Sequence, residues 1–321
     1  MGHLSDRKIL CLFAIVCFGK QRESPFLGNG CKAYNFNSNS ISVQCEEDYE
    51  LNVPSTVQSI HTLFLKKVSN EYLTMQLIDL PFKHLIIQEW DMSQFYKDNS
   101  KNFFNLHRRQ SLTVFQVHNL RALRWADYQF EQIHIEKSAL TNIGSQRLSD
   151  VVSKRLFSHK LIALYIIDCA LLTLDNNVFS HTPYLKVLTI SRNVLSSISV
   201  QSFPQSLNHL WLLDLSYNNL VSLDGDIFKK FPALVELNLN GNRLINLPYD
   251  LIKPIWFNLS LIHLLGNNWN CLNFCWSTKK ESFPHPIFFD QTTCSLDYFK
   301  GIMVGKMDRF FPICFYIGTK L

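Results

Sequence analysis

Three stretches of this chain share one spelling: Leu185 to Leu195 reads LKVLTISRNVL, Leu210 to Leu220 reads LWLLDLSYNNL, and Leu234 to Leu244 reads LVELNLNGNRL. In each, apolar residues hold the first, fourth, sixth and eleventh places, and Asn193, Asn218 and Asn242 hold the ninth. Those asparagines are 25 and then 24 residues apart. Alternation at the fourth and sixth places is the two-residue period of a short strand with one inward face. A fixed period of this length means one supersecondary unit stacked on copies of itself, each covering the apolar face of the next.

The spacing continues outward. Leu259, Ile262, Leu264 and Asn267 follow downstream, and Leu161, Leu164, Ile166, Cys169 and Leu171 precede, with a thiol where asparagine is usual. Between strands, Leu174 and Phe179, Ile198 and Phe203, and Leu223 and Phe228 recur at plus five and plus ten from the ninth place. This is the leucine-rich repeat pattern, and the expected fold is an α/β solenoid, a horseshoe with a parallel concave sheet and disulfide-stapled caps. The side chains at the ninth place form a structural ladder: Cys169, Asn193, Asn218, Asn242 and Asn267. An Asn amide there can bond the turn's backbone groups, which burial would otherwise leave unpaired. Cys169 reads as a buried core thiol.

Farther upstream the register blurs. The best fits are Phe130, Ile133, Ile135, Ser138; then Leu112, Phe115, Val117, Leu120; then Phe82, Leu85, Ile87, Trp90; and Ile60, Leu63, Leu65, Val68. Val68 to Asn267 nevertheless spans 199 residues in eight steps, a mean of about 25 that suits about nine continuous repeats.

Of 321 residues, 47% are hydrophobic and 18% charged, which is the composition of a folded protein. The net charge of +5 is spread without blocks of one sign, so neither nucleic acid nor a membrane surface is expected as partner. Ile9 to Phe18 is an uncharged run behind Arg7 and Lys8. It reads as the core of a secretory leader, being about half the roughly 20 residues that span a bilayer. No later stretch is long and apolar enough, so no membrane span is expected in the mature chain. Nine cysteines are distributed in blocks. Cys11 and Cys17 fall in the leader, Cys31 and Cys45 before the repeats, Cys169 within them, and Cys271, Cys275, Cys294 and Cys314 after them. Even numbers on both flanks fit disulfides in an oxidising compartment. The expected division is a leader over 1–19, an N-terminal cysteine-rich cap over 20–55, repeats over 56–266 and a C-terminal cap over 267–321.

Before the first strand stand Cys31, Val43-Gln44-Cys45, Leu51, Val53 and Pro54. After the last, Asn267-Asn268-Trp269-Asn270-Cys271 leads to Cys275, Cys294, Leu296, Gly301 and Cys314. These flanks resemble the cysteine-rich caps of extracellular leucine-rich repeat proteins, the group that includes the Toll and Slit ectodomains. The resemblance implies pairs Cys31–Cys45, Cys271–Cys294 and Cys275–Cys314. Two departures stand at the C-terminal cap, where Asn268 replaces the usual Pro and Cys271 to Cys275 widens a CxC pair to CxxxC. Four cysteines by themselves allow three pairings. The resemblance also implies a secreted chain or, alternatively, the cell-surface ectodomain of a Toll-like or neuronal-type receptor whose membrane span lies beyond this sequence. Asn258-Leu259-Ser260 is a glycosylation sequon.

No HExxH, GxSxG or phosphate-binding glycine loop is present. An enzyme is therefore not expected, and no catalytic residue, metal ligand or cofactor is assigned. Binding is the alternative, because residues between the inward leucines face out on the concave side and stacking aligns them in columns. The candidate partner-binding residues are Phe64, Ile86, His134, Tyr165 and Ile167, with Gln116, His118 and Asp168 as polar contacts. Exposed aromatic and apolar groups on such a face are interface anchors. The expected partner is an extracellular protein or a glycan, bound by the irregular N-terminal repeats, while Leu185 to Leu247 serves as a regular spacer.

Overall fold

The computed structural model describes residues 31–37, 40–46, 59–67, 82–91, 111–118, 126, 129–138, 146–270, 288–289, 292–295 and 300–303. The leader segment, Cys271, Cys275 and Cys314 lie outside the described residues.

An antiparallel hairpin of β1 (Cys31–Asn37) and β2 (Ser40–Glu46) opens the sheet. Parallel strands follow: β3 (Ser59–Lys66), β4 (Phe82–Asp91), β5 (Ser111–His118) and β6 (Gln132–Glu136). Then come β7 (Arg147–Leu148), helix α1 (Asp150–Leu156), β8 (Ala163–Ile167) and β9 (Thr173–Leu174). The series closes with β10 (Val187–Ser191), β11 (Leu212–Asp214), β12 (Glu236–Asn238), β13 (Leu261–His263) and β14 (Phe288–Phe289). Among the described residues twelve strands form one sheet in chain order, and β7 pairs with β9 outside it. The fold is thus a parallel solenoid with little helix, the leucine-rich repeat horseshoe.

Inward residues of successive strands make one continuous core. Leu164, Leu188, Leu213, Leu237 and Ile262 lie in register across β8 to β13 and are all buried. On the convex side Phe179, Phe203 and Phe231 form an aromatic spine, stacked at 5.1 Å and then edge-on at 4.9 Å. A lone repeat could not bury these faces, so stability belongs to the stack.

Every repeat turns the same way. The residue just before each ladder position has positive φ: Lys67, Glu89, Gln116, Lys137, Asp168, Arg192, Tyr217, Gly241 and Gly266. For the residues with a Cβ this conformation costs about 1–2 kcal/mol each. The ladder offsets it by satisfying the turn's backbone. Asn218 Oδ1 accepts from the Leu195 N–H at 3.2 Å, and its Nδ2 donates to the Ile190 and Leu215 carbonyls at 2.7 and 3.1 Å. Asn193, Asn242 and Asn267 bridge neighbouring repeats in the same manner. Ser138 does so with a hydroxyl, accepting from Val117 N–H and donating to Glu136 O. The Cys169 thiol donates to Ile167 O and Ile135 O, and burial pushes it up to about 12, so it is inert as a nucleophile.

Two irregularities in the upstream spacing have physical causes. The long step from Ser138 to Cys169 accommodates α1, which is capped by Ser149, whose side chain accepts from Val152 N–H. Its Val152 and Leu156 pack into the core, and the Arg147–Asp175 pair ties β7 to the following repeat. The second cause is a register that differs from the expected one in β5. Leu112 and Val114 align with Leu85 and Ile87 and are buried, and Val117 takes the ladder position. Phe115, read from sequence as an inward anchor, is half-buried on the concave face, with the Lys137 ammonium 5.4 Å over its ring. Three apolar residues competed for two inward places, and the strand's alternation decided for the smaller ones.

At the ends, Cys31 and Cys45 face each other across the β1–β2 hairpin and are joined by a disulfide. Cys294 is disulfide-bonded as well, and its implied partner Cys271 lies outside the described residues. Trp269 is fully buried beneath the last repeat, its indole N–H donating to Leu264 O at 2.7 Å.

Candidate functional site

Strand pairing fixes which residues share a concave column. One column runs Phe64, Ile86, Thr113, His134, Tyr165, Thr189, Asp214, Asn238, His263. A second, two residues on, runs Lys66, Gln88, Phe115, Glu136, Ile167, Ser191. Adjacent members sit on neighbouring strands, about 4.8 Å apart.

Phe64, Ile86, His134 and Tyr165 stand in the first column, each half-buried. His134 and Tyr165 stack with ring centroids 5.6 Å apart. On the same strand, His134 Nε2 lies 3.3 Å from a Glu136 carboxylate oxygen. That hydrogen bond holds the Glu136 carboxyl below its ordinary value, against the burial that pushes it up. Burial pushes the Tyr165 phenol up, so it remains a neutral donor and acceptor. Together these groups offer an aromatic surface edged by one carboxylate and one imidazole.

Gln116 and His118 do not join the columns. The β5 register gives their places to Thr113 and Phe115; Gln116 sits exposed on the left-handed turn, and His118 ends its strand opposite Asp91. The His118 side chain lies outside the described residues. Ile167 is in its column but only 7% exposed, so it backs the surface rather than presenting it. Asp168 is exposed on the turn beside it. The groups that sequence reasoning passed over are Thr113, Phe115 and Glu136. Matching Leu112, Val114 and Val117 to the LxLxxN spacing would have found Phe115.

Nearer the N-terminus, His61 and His84 are 4.8 Å apart, and His84 Nδ1 lies 2.7 Å from the Ser111 hydroxyl. Both imidazoles are held below their ordinary value, first by burial. Toward the C-terminus the face turns polar. Burial pushes the Asp214 carboxyl up, although it accepts the Ser216 N–H at 2.9 Å, and His263 lies 3.6 Å from Glu236. Among the described residues no group of three or more His, Cys, Asp or Glu side chains is placed to hold a metal ion.

Residues 159–220 and 200–244 match the family model described as leucine rich repeat. These are leucine-rich repeats. Over 95 residues the chain is 35% identical to Protein singed wings 2 of Drosophila melanogaster, which covers 29% of this chain and 18% of that protein. The chain spans less than a fifth of the length of the curated relatives it matches. A chain of the TLR13–ssRNA13 complex superposes with a TM-score of 0.51 at 16% identity, covering 80% of this chain and 39% of that one. A chain of the Drosophila Toll–Spatzle complex gives 0.50 at 13% identity, covering 74% and 32%. These likenesses establish the leucine-rich repeat fold. No helix of the described residues is long and apolar enough to cross a membrane.

Proposed function

We propose that this leucine-rich repeat chain is a secreted or cell-surface binding protein whose concave face, over β3 to β8, holds a protein partner. The observation that carries the reading is the stacked His134–Tyr165 pair, flanked by Glu136 and continued by Thr113, Ile86 and Phe64 in one column. An aromatic pair with polar atoms at its edge can bury ring area and still satisfy hydrogen bonds, as interface anchors do. Beyond Tyr165 the same column offers Thr189, Asp214 and Asn238, which are poorer in apolar area. A leader over 1–19, caps over 20–55 and 267–321, repeats over 56–266, pairs Cys271–Cys294 and Cys275–Cys314, and a glycan on Asn258 complete the proposal. Asn258 is exposed, which supports its use as an acceptor. The chain is read as a recognition module and not an enzyme.

A receptor ectodomain is the second reading. It draws support from the likeness to a chain of the Toll–Spatzle complex, in which this chain covers 32% of its counterpart.

The test uses the full chain and its His134→Ala/Tyr165→Ala variant as baits for extracellular proteins. A partner held by the wild type should bind the double variant about tenfold or more weakly, with secretion of the two chains equal. Equal capture by both would remove this face from consideration.

A further inference from the structure

The stacked His134–Tyr165 pair stands between two short side chains. In the concave column Thr113 precedes His134 and Thr189 follows Tyr165, and neither threonine is large enough to cover an aromatic ring. In the neighbouring column Glu136 lies beside Ile167, and Ile167 beside Ser191. Ile167, Thr189 and Ser191 are only 7, 7 and 6% exposed, so they form a low floor next to the half-buried rings.

Glu136 gives this hollow its charge. Its Oε2 lies 3.3 Å from His134 Nε2, while its Oε1 takes no hydrogen bond among the described residues. Lys137 and Arg192 act on this carboxylate from farther away and make no ion pair with it. They are placed instead over rings, Lys137 at 5.4 Å from the Phe115 centroid and Arg192 at 5.0 Å from that of Tyr217. The carboxyl stays ionised, held below its ordinary value first by the His134 hydrogen bond. A negative charge with one oxygen to spare therefore stands beside aromatic faces, sheltered from most of the solvent.

Charge complementarity selects the occupant. An aliphatic side chain seated here would desolvate the carboxylate without giving it a donor, and an anion would be repelled. An ammonium answers the charge as a point, whereas a guanidinium can lay its plane on a ring and turn its N–H edge to the carboxylate. We propose that the hollow formed by Tyr165, His134 and Glu136 takes an arginine side chain of the protein partner, its plane on the rings and its N–H groups on Glu136. This rests on the concave-face reading and adds the chemistry that the face selects.

Selection of random linear peptides, displayed on phage, against the secreted full chain tests it. Peptides enriched on the wild type should share an arginine and bind Glu136→Gln about tenfold or more weakly. Replacing that arginine by citrulline, its neutral counterpart of the same shape, should weaken binding to the wild type by a similar factor. The peptide exchange leaves the protein untouched, so it decides even if Glu136→Gln fails to fold. Peptides that lose binding to His134→Ala/Tyr165→Ala but lack an arginine, or keep full binding to Glu136→Gln, overturn the arginine site and leave the concave-face reading standing. A selection that yields no binder, or only peptides indifferent to all three substitutions, overturns the arginine site and counts against the face as well.

Discussion

Tyr217 covers Gly241 so closely that a Cβ on Gly241 would lie 2.6 Å from the tyrosine Cδ1. The Arg192 guanidinium in turn sits 5.0 Å from the centroid of the same ring. These are left-handed turn residues of three successive repeats, so each turn is packed on the next. Gly241→Ala adds both a clash and backbone strain at φ 64°, and should cost about 2 kcal/mol or more. In Tyr217→Ala/Gly241→Ala the clash is gone and roughly 1 kcal/mol of backbone strain remains. Urea midpoints read both variants, and an unchanged midpoint in Gly241→Ala would count against the packing described.

The ladder residues should differ in what they contribute. Asn218→Ala strips the Leu195 N–H of its acceptor and the Ile190 carbonyl of a donor, all within the buried turn. A loss of about 2–4 kcal/mol is expected from two unsatisfied backbone groups. Cys169→Ala removes only sulfur hydrogen bonds at 3.2 and 3.5 Å and a small buried volume, so its thermal midpoint should fall less. Equal shifts in the two variants would show that the asparagine bonds add nothing beyond filling space.

Acid should weaken the N-terminal repeats. Burial, followed by Lys83, lowers the His61 imidazole, and burial, followed by His61 and Lys83, lowers that of His84. Unfolded histidine takes up its proton near pH 6.5, ahead of the folded one, so the unfolded chain binds more protons on acidification. The stabilisation is therefore complete above about pH 6.5 and is lost as pH falls toward the folded values. Melting midpoints should drop between about pH 7.5 and about pH 5.5, and His84→Gln should flatten that drop. A pH-independent midpoint in the wild type would refute the assignment.

Opening the first disulfide should unsettle the hairpin that covers β3. Cys31→Ser is expected to cost about 2–5 kcal/mol and to reduce the amount of chain recovered from the medium. Cys31→Ser/Cys45→Ser should behave like the single variant, because the lost unit is the bond. Recovery of both at the wild-type level would contradict a capping role.

Legibility from sequence followed the sharpness of the inward pattern. From Leu161 onward each strand shows leucine or isoleucine at its inward places, with asparagine or cysteine on the ladder, and the register could be counted directly. In β5 the run Leu112-Thr-Val-Phe-Gln-Val offers several apolar choices, and the register expected from sequence was wrong there, carrying Gln116 and His118 into columns they do not occupy. Ile167 was rightly placed in its column, yet its burial could not be read from spacing.

The leucine period alone determined the fold, because a repeat that cannot bury its own apolar face has to stack, and stacking at a fixed period leaves one architecture. Tertiary structure decided everything that depends on neighbours from different repeats. The stretch from Leu185 to Leu247, regular enough to look like a spacer, carries Trp211 and Val235 exposed on its flank. Its leucine pattern is silent about them, since that pattern reports which side chains point inward. What faces outward is set by which residue of the next turn lies alongside, and residues about 25 positions apart become neighbours only when the chain has wound.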